Sequence, residues 1–267
     1  MVRWRRPCHT GRMATHEDRT RKLAVLIDAD NASPRIVSGL FEEIATIGEA
    51  SVRRIYGDFS GTRLKGWAEV LSPHAIMPHQ NFANTVGKNA SDIALVIDAM
   101  DLLHSGRFDG FCLVSSDSDF TRLAARIREQ GVDVYGFGEQ KTPESFRQAC
   151  KRFIYTENLL PLAAVTESDP KAGPDKAAAV APRRSPSAAV PMIRIALSQL
   201  DDTDGWFALG VVGNRLNVLN SDFDPRTFGH ARLSDLVEKT GAFDVERRPG
   251  SGVYIRLKPN RGKAGAA

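Results

Sequence analysis

The sequence predicts an α/β domain, a parallel sheet with helices on both faces, followed by a small winged-helix-like domain. Three observations predict it. From Leu23 to Phe137 short apolar runs alternate with stretches of helical periodicity, the pattern of buried strands joined by crossover helices. Residues 161–190 are then rich in Ala, Pro and charge with nothing large to bury, which reads as a linker. Beyond them, three helical patterns end in a hairpin whose turn carries Pro249, Gly250 and Gly252, as in a winged helix.

The elements follow in order. Leu23 to Ile27 is an unbroken apolar run suited to a first strand. Ser33 and Pro34 open a helix with Ile36, Val37, Leu40, Ile44 and Ile47 at helical spacing. Residues 51–56 read as a second strand, and Leu64, Trp67, Ala68 and Leu71 line a second helix with Trp67 in the core. Residues 74–77 read as a short third strand. Ser91 and Asp92 open a long helix with Ile93, Val96, Ile97, Met100 and Leu103 toward the core. A fourth strand is expected at 111–114, a helix at 120–129 and a fifth strand at 132–137. In the second domain, Ile193, Ile195, Ala196 and Leu200 mark one helix. Helices at 206–216 and 233–239 and a hairpin of 243–245 with 253–257 complete it.

A chain of 267 residues suits one large domain and one small one. Its 42% hydrophobic and 25% charged residues are those of an ordinary soluble protein. The net charge of +4 invites a nucleic-acid partner, but its distribution tempers that inference. Residues 1–22 hold seven basic side chains against two acidic ones, a surplus of five, so the remainder sums to about minus one. Residues 23–160 alone hold 14 basic and 18 acidic side chains. Contact with a polyanion there must come from local patches or a metal ion. We expect residues 1–22 and 259–267 to be disordered tails, with Met13 an alternative start. The N-terminal segment lacks the apolar core of a secretory signal, and no apolar run approaches the ~20 residues that span a bilayer. Three widely spaced cysteines, Cys8, Cys112 and Cys150, argue against a disulfide framework. A cytoplasmic protein with no membrane partner is expected.

In an open parallel sheet, ligands bind outside the carboxyl ends of the strands. The acidic residues of this chain fall there. Asp28 and Asp30 follow the first strand with Asn31 beside them, and Asp117 and Asp119 follow the fourth, after Ser115 and Ser116. Asp92 begins the long helix. Clustered carboxylates repel, and a hard divalent cation such as Mg²⁺ or Mn²⁺ offsets that repulsion. Such an ion can polarise a phosphodiester and activate water. Lys88, four residues before Asp92, is placed to meet a phosphate oxygen, and Asn31, Ser115 and Ser116 to hydrogen-bond water or phosphate. Any single Asp after a strand is as often a turn former or helix cap. For Asp117 and Asp119 together one cap suffices, and the second acid needs another reason. Asp98 lies about 240° round the helix from Asp92, so it and Asp30 rank second as ligands, and Asp101 reads as solvated.

The runs Leu26 to Asn31, Gly87 to Asp92 continuing to Asp98, Leu113 to Phe120, and Gly136 to Gly138 resemble the NYN family, in its LabA-like branch, over about 23–158. The resemblance implies a PIN-like three-layer fold and a divalent-metal ribonuclease site with Asp28, Asp92, Asp117 and Asp119 as ligands. Phe228 to Val237 and Val253 to Leu257 resemble an OST-HTH/LOTUS domain over 191–258, an RNA- or protein-binding module. His230 stands where that family commonly has Tyr, and charge alone does not argue for RNA there, with 11 basic and 9 acidic residues over 191–267.

Other motifs read blandly. Gly136 to Gly138 follows the fifth strand and lacks a third glycine, which argues against a dinucleotide site. His74 and His79 read as isolated histidines, and Ser115 and Ser116 lack a hydrolase elbow. Arg53, Arg54, Arg63 and Lys65 form either a solvated face or a phosphate-tracking patch. Trp206 and Phe207 read as core anchors. The expectation is therefore a metal-dependent endoribonuclease acting on RNA, with a protein adaptor as a further partner of the C-terminal module. The rivals are a non-catalytic RNA-binding regulator and, more remotely, an aspartyl phosphatase using Asp28 and Asp30. The sequence does not fix the oligomeric state.

Overall fold

Leu23 to Ile27 carries no polar side chain and is wholly buried, so it can sit only where both faces of a sheet are covered. It lies in β1 (Lys22–Asp28), in the middle of a six-stranded sheet. The other strands are β2 (Glu49–Gly57), β3 (Met77–Gln80), β4 (Gly110–Val114), β5 (Asp133–Gly138) and β6 (Arg152–Tyr155). Their order is β3-β2-β1-β4-β5-β6, and every pairing is parallel. The computed structural model describes residues 20–82, 90–160, 183–202, 204–248, 250 and 252–258.

Successive side chains of β1 enter opposite layers, as the two-residue strand period requires. Leu23, Val25 and Ile27 pack with Ile36, Leu40, Ile44 and Trp67, the layer of α1 (Val37–Ala45) and α2 (Lys65–Leu71). Ala24 and Leu26 pack with Leu95, Ala99, Phe120, Ile127 and Phe146. That second layer holds α3 (Ala90–His104), α4 (Thr121–Glu129) and α5 (Glu144–Ala149). Helix α1 comes so close to the turn after β6 that a Cβ on Gly39 would stand 2.1 Å from the Leu159 carbonyl oxygen. Only glycine permits that approach.

The second domain packs α6 (Val190–Leu197), α7 (Leu209–Leu219) and α8 (Leu233–Thr240) against a three-stranded antiparallel sheet. The sheet runs β7 (Phe207–Ala208), β9 (Gly252–Leu257), β8 (Phe243–Arg248). Ile193, Val212, Leu216, Leu236, Phe243 and Ile255 form its core. Gly241 ends α8 in the left-handed conformation, φ 69°, a common helix terminator. Among the described residues no helix is long and apolar enough to cross a membrane.

The two domains touch through polar groups. The Phe153 N–H of the edge strand β6 donates to the Ser221 carbonyl (2.7 Å), and the Ser221 hydroxyl donates to the Arg147 carbonyl (2.7 Å). Asp222 pairs with Arg147 and accepts from the Tyr155 hydroxyl (2.5 Å). Glu43 of α1 pairs with both Arg152 (3.0 Å) and Arg226 (2.9 Å), and Arg226 also holds Asp224 (2.6 Å). A sheet edge that would otherwise present unpaired backbone groups is thereby covered.

Several elements depart from expectation. The third strand is Met77–Gln80, not 74–77, because Ile76 is buried as a loop residue while the strand lies at the sheet edge, largely exposed. Helix α5 and strand β6 went unforeseen. The helix expected at 120–129 begins with a 3-10 turn, Ser118–Phe120. Phe207 and Ala208 lead into helix α7 as a strand. Phe207 joins the core there, whereas Trp206 faces the wing, with the Arg256 guanidinium 4.6 Å from its ring. Residues 183–190, expected in the linker, already belong to the second domain, where Ala189 is fully buried. Ile93, Ile97 and Ile195, expected in cores, are 61%, 58% and 54% exposed.

Candidate functional site

Reading across the sheet, the chain turns from β1 toward β2 on one side and from β4 toward β5 on the other. The crevice between the carboxyl ends of β1 and β4 is therefore the topological switch point, where such sheets bind ligands. Asp28 is the last residue of β1, and Ser115 to Asp119 follow β4 directly. Helix α3 crosses the same layer and brings Asp92 in its first turn.

Asp28 is 1% exposed. Its carboxylate accepts from the Ser115 hydroxyl (2.7 Å), the Asn31 amide (2.8 Å) and the Asp30 N–H (3.0 Å). Burial pushes its pKa above the usual carboxylate range, against the pull of those three donors. Ser115, equally buried, also accepts from the Asp117 N–H (3.0 Å). One hydroxyl thus ties the end of β1 to the loop after β4. Asp117 caps the 3-10 turn, accepting from the Asp119 N–H at 2.9 Å.

Asp92 is the electrostatic centre. Its pKa is raised to about 6, first by burial and then by the charges of Asp28, Asp117, Asp30 and Asp119. Five carboxylates therefore share one crevice. Asp30 pairs with Arg63 and accepts from the Ser91 hydroxyl at 3.4 Å. Among the described residues, no ion pair neutralises Asp28, Asp92 or Asp117. Nor, among them, do three or more His, Cys, Asp or Glu side chains stand as a ready-made metal-binding group. Asp30 is held by Arg63 and Asp117 by a backbone amide.

The remaining site expectations divide. Asn31 and Ser115 are at the crevice. Ser116 accepts from the Glu139 N–H (2.9 Å) and anchors the loop after β5. Lys88 lies outside the described residues. Asp98 is held away from the crevice by Arg54 and Tyr56. Burial alone would raise its pKa, but those two partners outweigh burial and hold it low. Arg54 is thus neither solvated nor free for phosphate. Arg53 lies 4.6 Å from the Phe41 ring and donates to the His74 carbonyl (2.9 Å). His74 stacks on Phe41, and His79 lies 5.0 Å from Tyr56. Sequence reasoning placed Arg63 in a surface patch and missed that it belongs to the crevice; an Arg thirty-three residues from Asp30 leaves no local signal.

Residues 22–160 match the family model of the NYN domain, and residues 185–255 that of the OST-HTH/LOTUS domain. No curated protein matches the chain. Similar solved structures include the crystal structure of a protein of unknown function from Vibrio parahaemolyticus. It is 20% identical over 52% of this chain and 94% of that one, with a TM-score of 0.43. The solution structure of an uncharacterized protein from Nitrosomonas europaea is 37% identical over 37% of this chain and 99% of that one, with a TM-score of 0.27.

Proposed function

The chain belongs to the NYN family, within the PIN-like nucleases, and carries an OST-HTH/LOTUS domain behind it; on that basis we propose that it is a divalent-metal-dependent ribonuclease. The observation that carries this is Asp92, crowded by four other carboxylates at the switch point, where among the described residues no ion pair is made by Asp28, Asp92 or Asp117. Negative charge crowded in this way destabilises a fold unless a cation answers it. The donors are all hard carboxylate oxygens, which fits Mg²⁺ or Mn²⁺ and not a softer metal. Asp28, Asp92, Asp117 and Asp119 would hold the ion, with Asp30 alongside. When bound, such an ion supplies Lewis-acid polarisation of a phosphodiester and lowers the pKa of a coordinated water.

The chain's own residues prepare the site. Ser115 and Asn31 both donate to one oxygen of Asp28 and the Asp30 N–H donates to the other, so its carboxylate is oriented before any ligand arrives. Asp117 accepts the Asp119 N–H through one oxygen, and its other oxygen would serve a cation. The C-terminal domain adds an RNA-binding or adaptor-binding module docked against β6.

The test is cleavage of an end-labelled mixed-sequence RNA with Mg²⁺ or Mn²⁺, comparing wild type with Asp117→Asn. Asn keeps the cap to Asp119 and removes the charge, so loss of cutting reads chemistry, not folding. Metal-dependent cutting that EDTA and the substitution both abolish supports the proposal. Binding without cutting by folded wild type would instead make the protein a non-catalytic RNA-binding regulator.

A further inference from the structure

Helix α3 presents an unexpected face beside the crevice. Ile93 and Ile97, one turn apart, are 61% and 58% exposed. With Val96, the buried Phe120, and the carboxyl-bearing Asp92 and Asp119, they line a groove of about 240 Å³. Leaving such isoleucines in water forgoes most of the stabilisation that burial of each would contribute. A purely structural helix would place polar residues there, as the opposite face does with Asp98 on Arg54.

We propose that this groove receives one unpaired nucleobase of the RNA, that of a nucleotide next to the phosphate bound at the carboxylates. The proposal rests on the nuclease reading above and names how that site chooses its substrate. Continuity carries it, because Asp92 and Asp119 belong to both the groove and the acidic crevice. An occupant must therefore offer an apolar face within reach of an anionic group that approaches the acids through a cation. A base joined to its own phosphate does both. A base already paired in a duplex cannot turn its face into a groove, so the arrangement favours single strands, loops or bulges.

The test uses the full chain with Ca²⁺ in place of Mg²⁺ to hold off cutting. The probe is a short fluorescein-labelled single-stranded RNA, intact and as a series with one abasic position moved along it. Wild type should bind intact RNA about tenfold more tightly than the worst abasic form. Ile93→Ser/Ile97→Ser should bind both forms alike, at the abasic level. Both side chains are exposed, so the variant keeps the fold. An equal loss on both forms, no loss, or no measurable binding by wild type overturns the proposal. So does a wild-type dimer in sedimentation that the double variant splits, since a second copy would then cover the groove. Cutting with Mg²⁺ is scored separately. Coupling without cutting would sink the nuclease reading alone, and cutting without coupling would sink the groove alone.

Discussion

Replacing Asp92 with Asn should stabilise the metal-free protein while abolishing the proposed RNA cleavage. The carboxyl is raised from 3.8 to about 6 by burial and four acidic neighbours, and at 1.36 kcal/mol per pKa unit that bounds the cost of ionising it near ~3 kcal/mol. The side chain is only partly buried and reaches solvent, so screening reduces the figure to about 1 kcal/mol. The sign is fixed by direction. A carboxyl whose folded pKa is raised binds its proton more tightly folded than unfolded, so stability falls as pH rises from 3.8 to about 6. Asn cannot ionise and escapes that loss. Urea denaturation followed by circular dichroism, in EDTA, should show Asp92→Asn about 1 kcal/mol more stable at neutral pH and level with wild type below the ordinary carboxylate pKa. Added Mg²⁺ should raise wild-type stability by mass action and the variant's far less. A gain independent of pH, or a variant less stable than wild type at neutral pH, would refute the electrostatic account.

Ser115→Ala removes a donor to buried Asp28 and the acceptor of the Asp117 N–H together; a loss of about 1–3 kcal/mol in unfolding free energy, read from urea denaturation, is expected, and less than half that would place the serine outside the framework. Gly39→Ala drives a Cβ into the Leu159 carbonyl, and thermal unfolding should fall as for an overpacked core, about 1–3 kcal/mol. Glu43→Gln leaves Arg152 and Arg226 without their shared carboxylate; calorimetry should show the two domains melting further apart, and an unchanged single transition would remove Glu43 from the interface. Asp98 is held low by Tyr56 and Arg54 against burial, so its contribution is complete above the ordinary carboxylate pKa and disappears as pH falls through its folded value. Asp98→Asn should accordingly lose stability at neutral pH but not in strong acid.

Sequence made the centre of the sheet legible and its edges obscure, for a physical reason. β1 and β4 are covered on both faces, so burial writes itself as continuous apolar runs, and the acids after them stand out. β3 and β6 lie at the two edges. β3 contains Pro78 and mostly exposed residues, and β6 follows Lys151 and opens on Arg152, whose charges answer Asp133 and Glu43. Long-range pairs were invisible for the same reason that they matter. Arg54 reads as surface charge until Asp98, forty-four residues away, is seen to hold it. Asp92 was found because its neighbours follow strands; the exposure of Ile93 and Ile97 was not, because helical periodicity reports apolar spacing and cannot tell a core stripe from a substrate-facing one.

Helix α3 explains why the site can be built at all. It carries two acids six residues apart, and the helical period sends them to different surroundings. Asp98 meets Arg54 and the Tyr56 hydroxyl, and its charge helps anchor the helix to β2. Asp92 is held up near 6 by burial and by the charges of four other carboxylates. The first pair steadies the helix that the second residue strains. With the anchor in place, α3 can hold Asp92 in a crevice that repels it, and the same rigid helix carries Ile93 and Ile97 out beside it. Leu95 and Ala99 of the same helix are buried against the sheet and fix its first turns further. The repulsion at Asp92 and the attraction at Asp98 are therefore parts of one arrangement, in which local instability is kept where a cation can answer it.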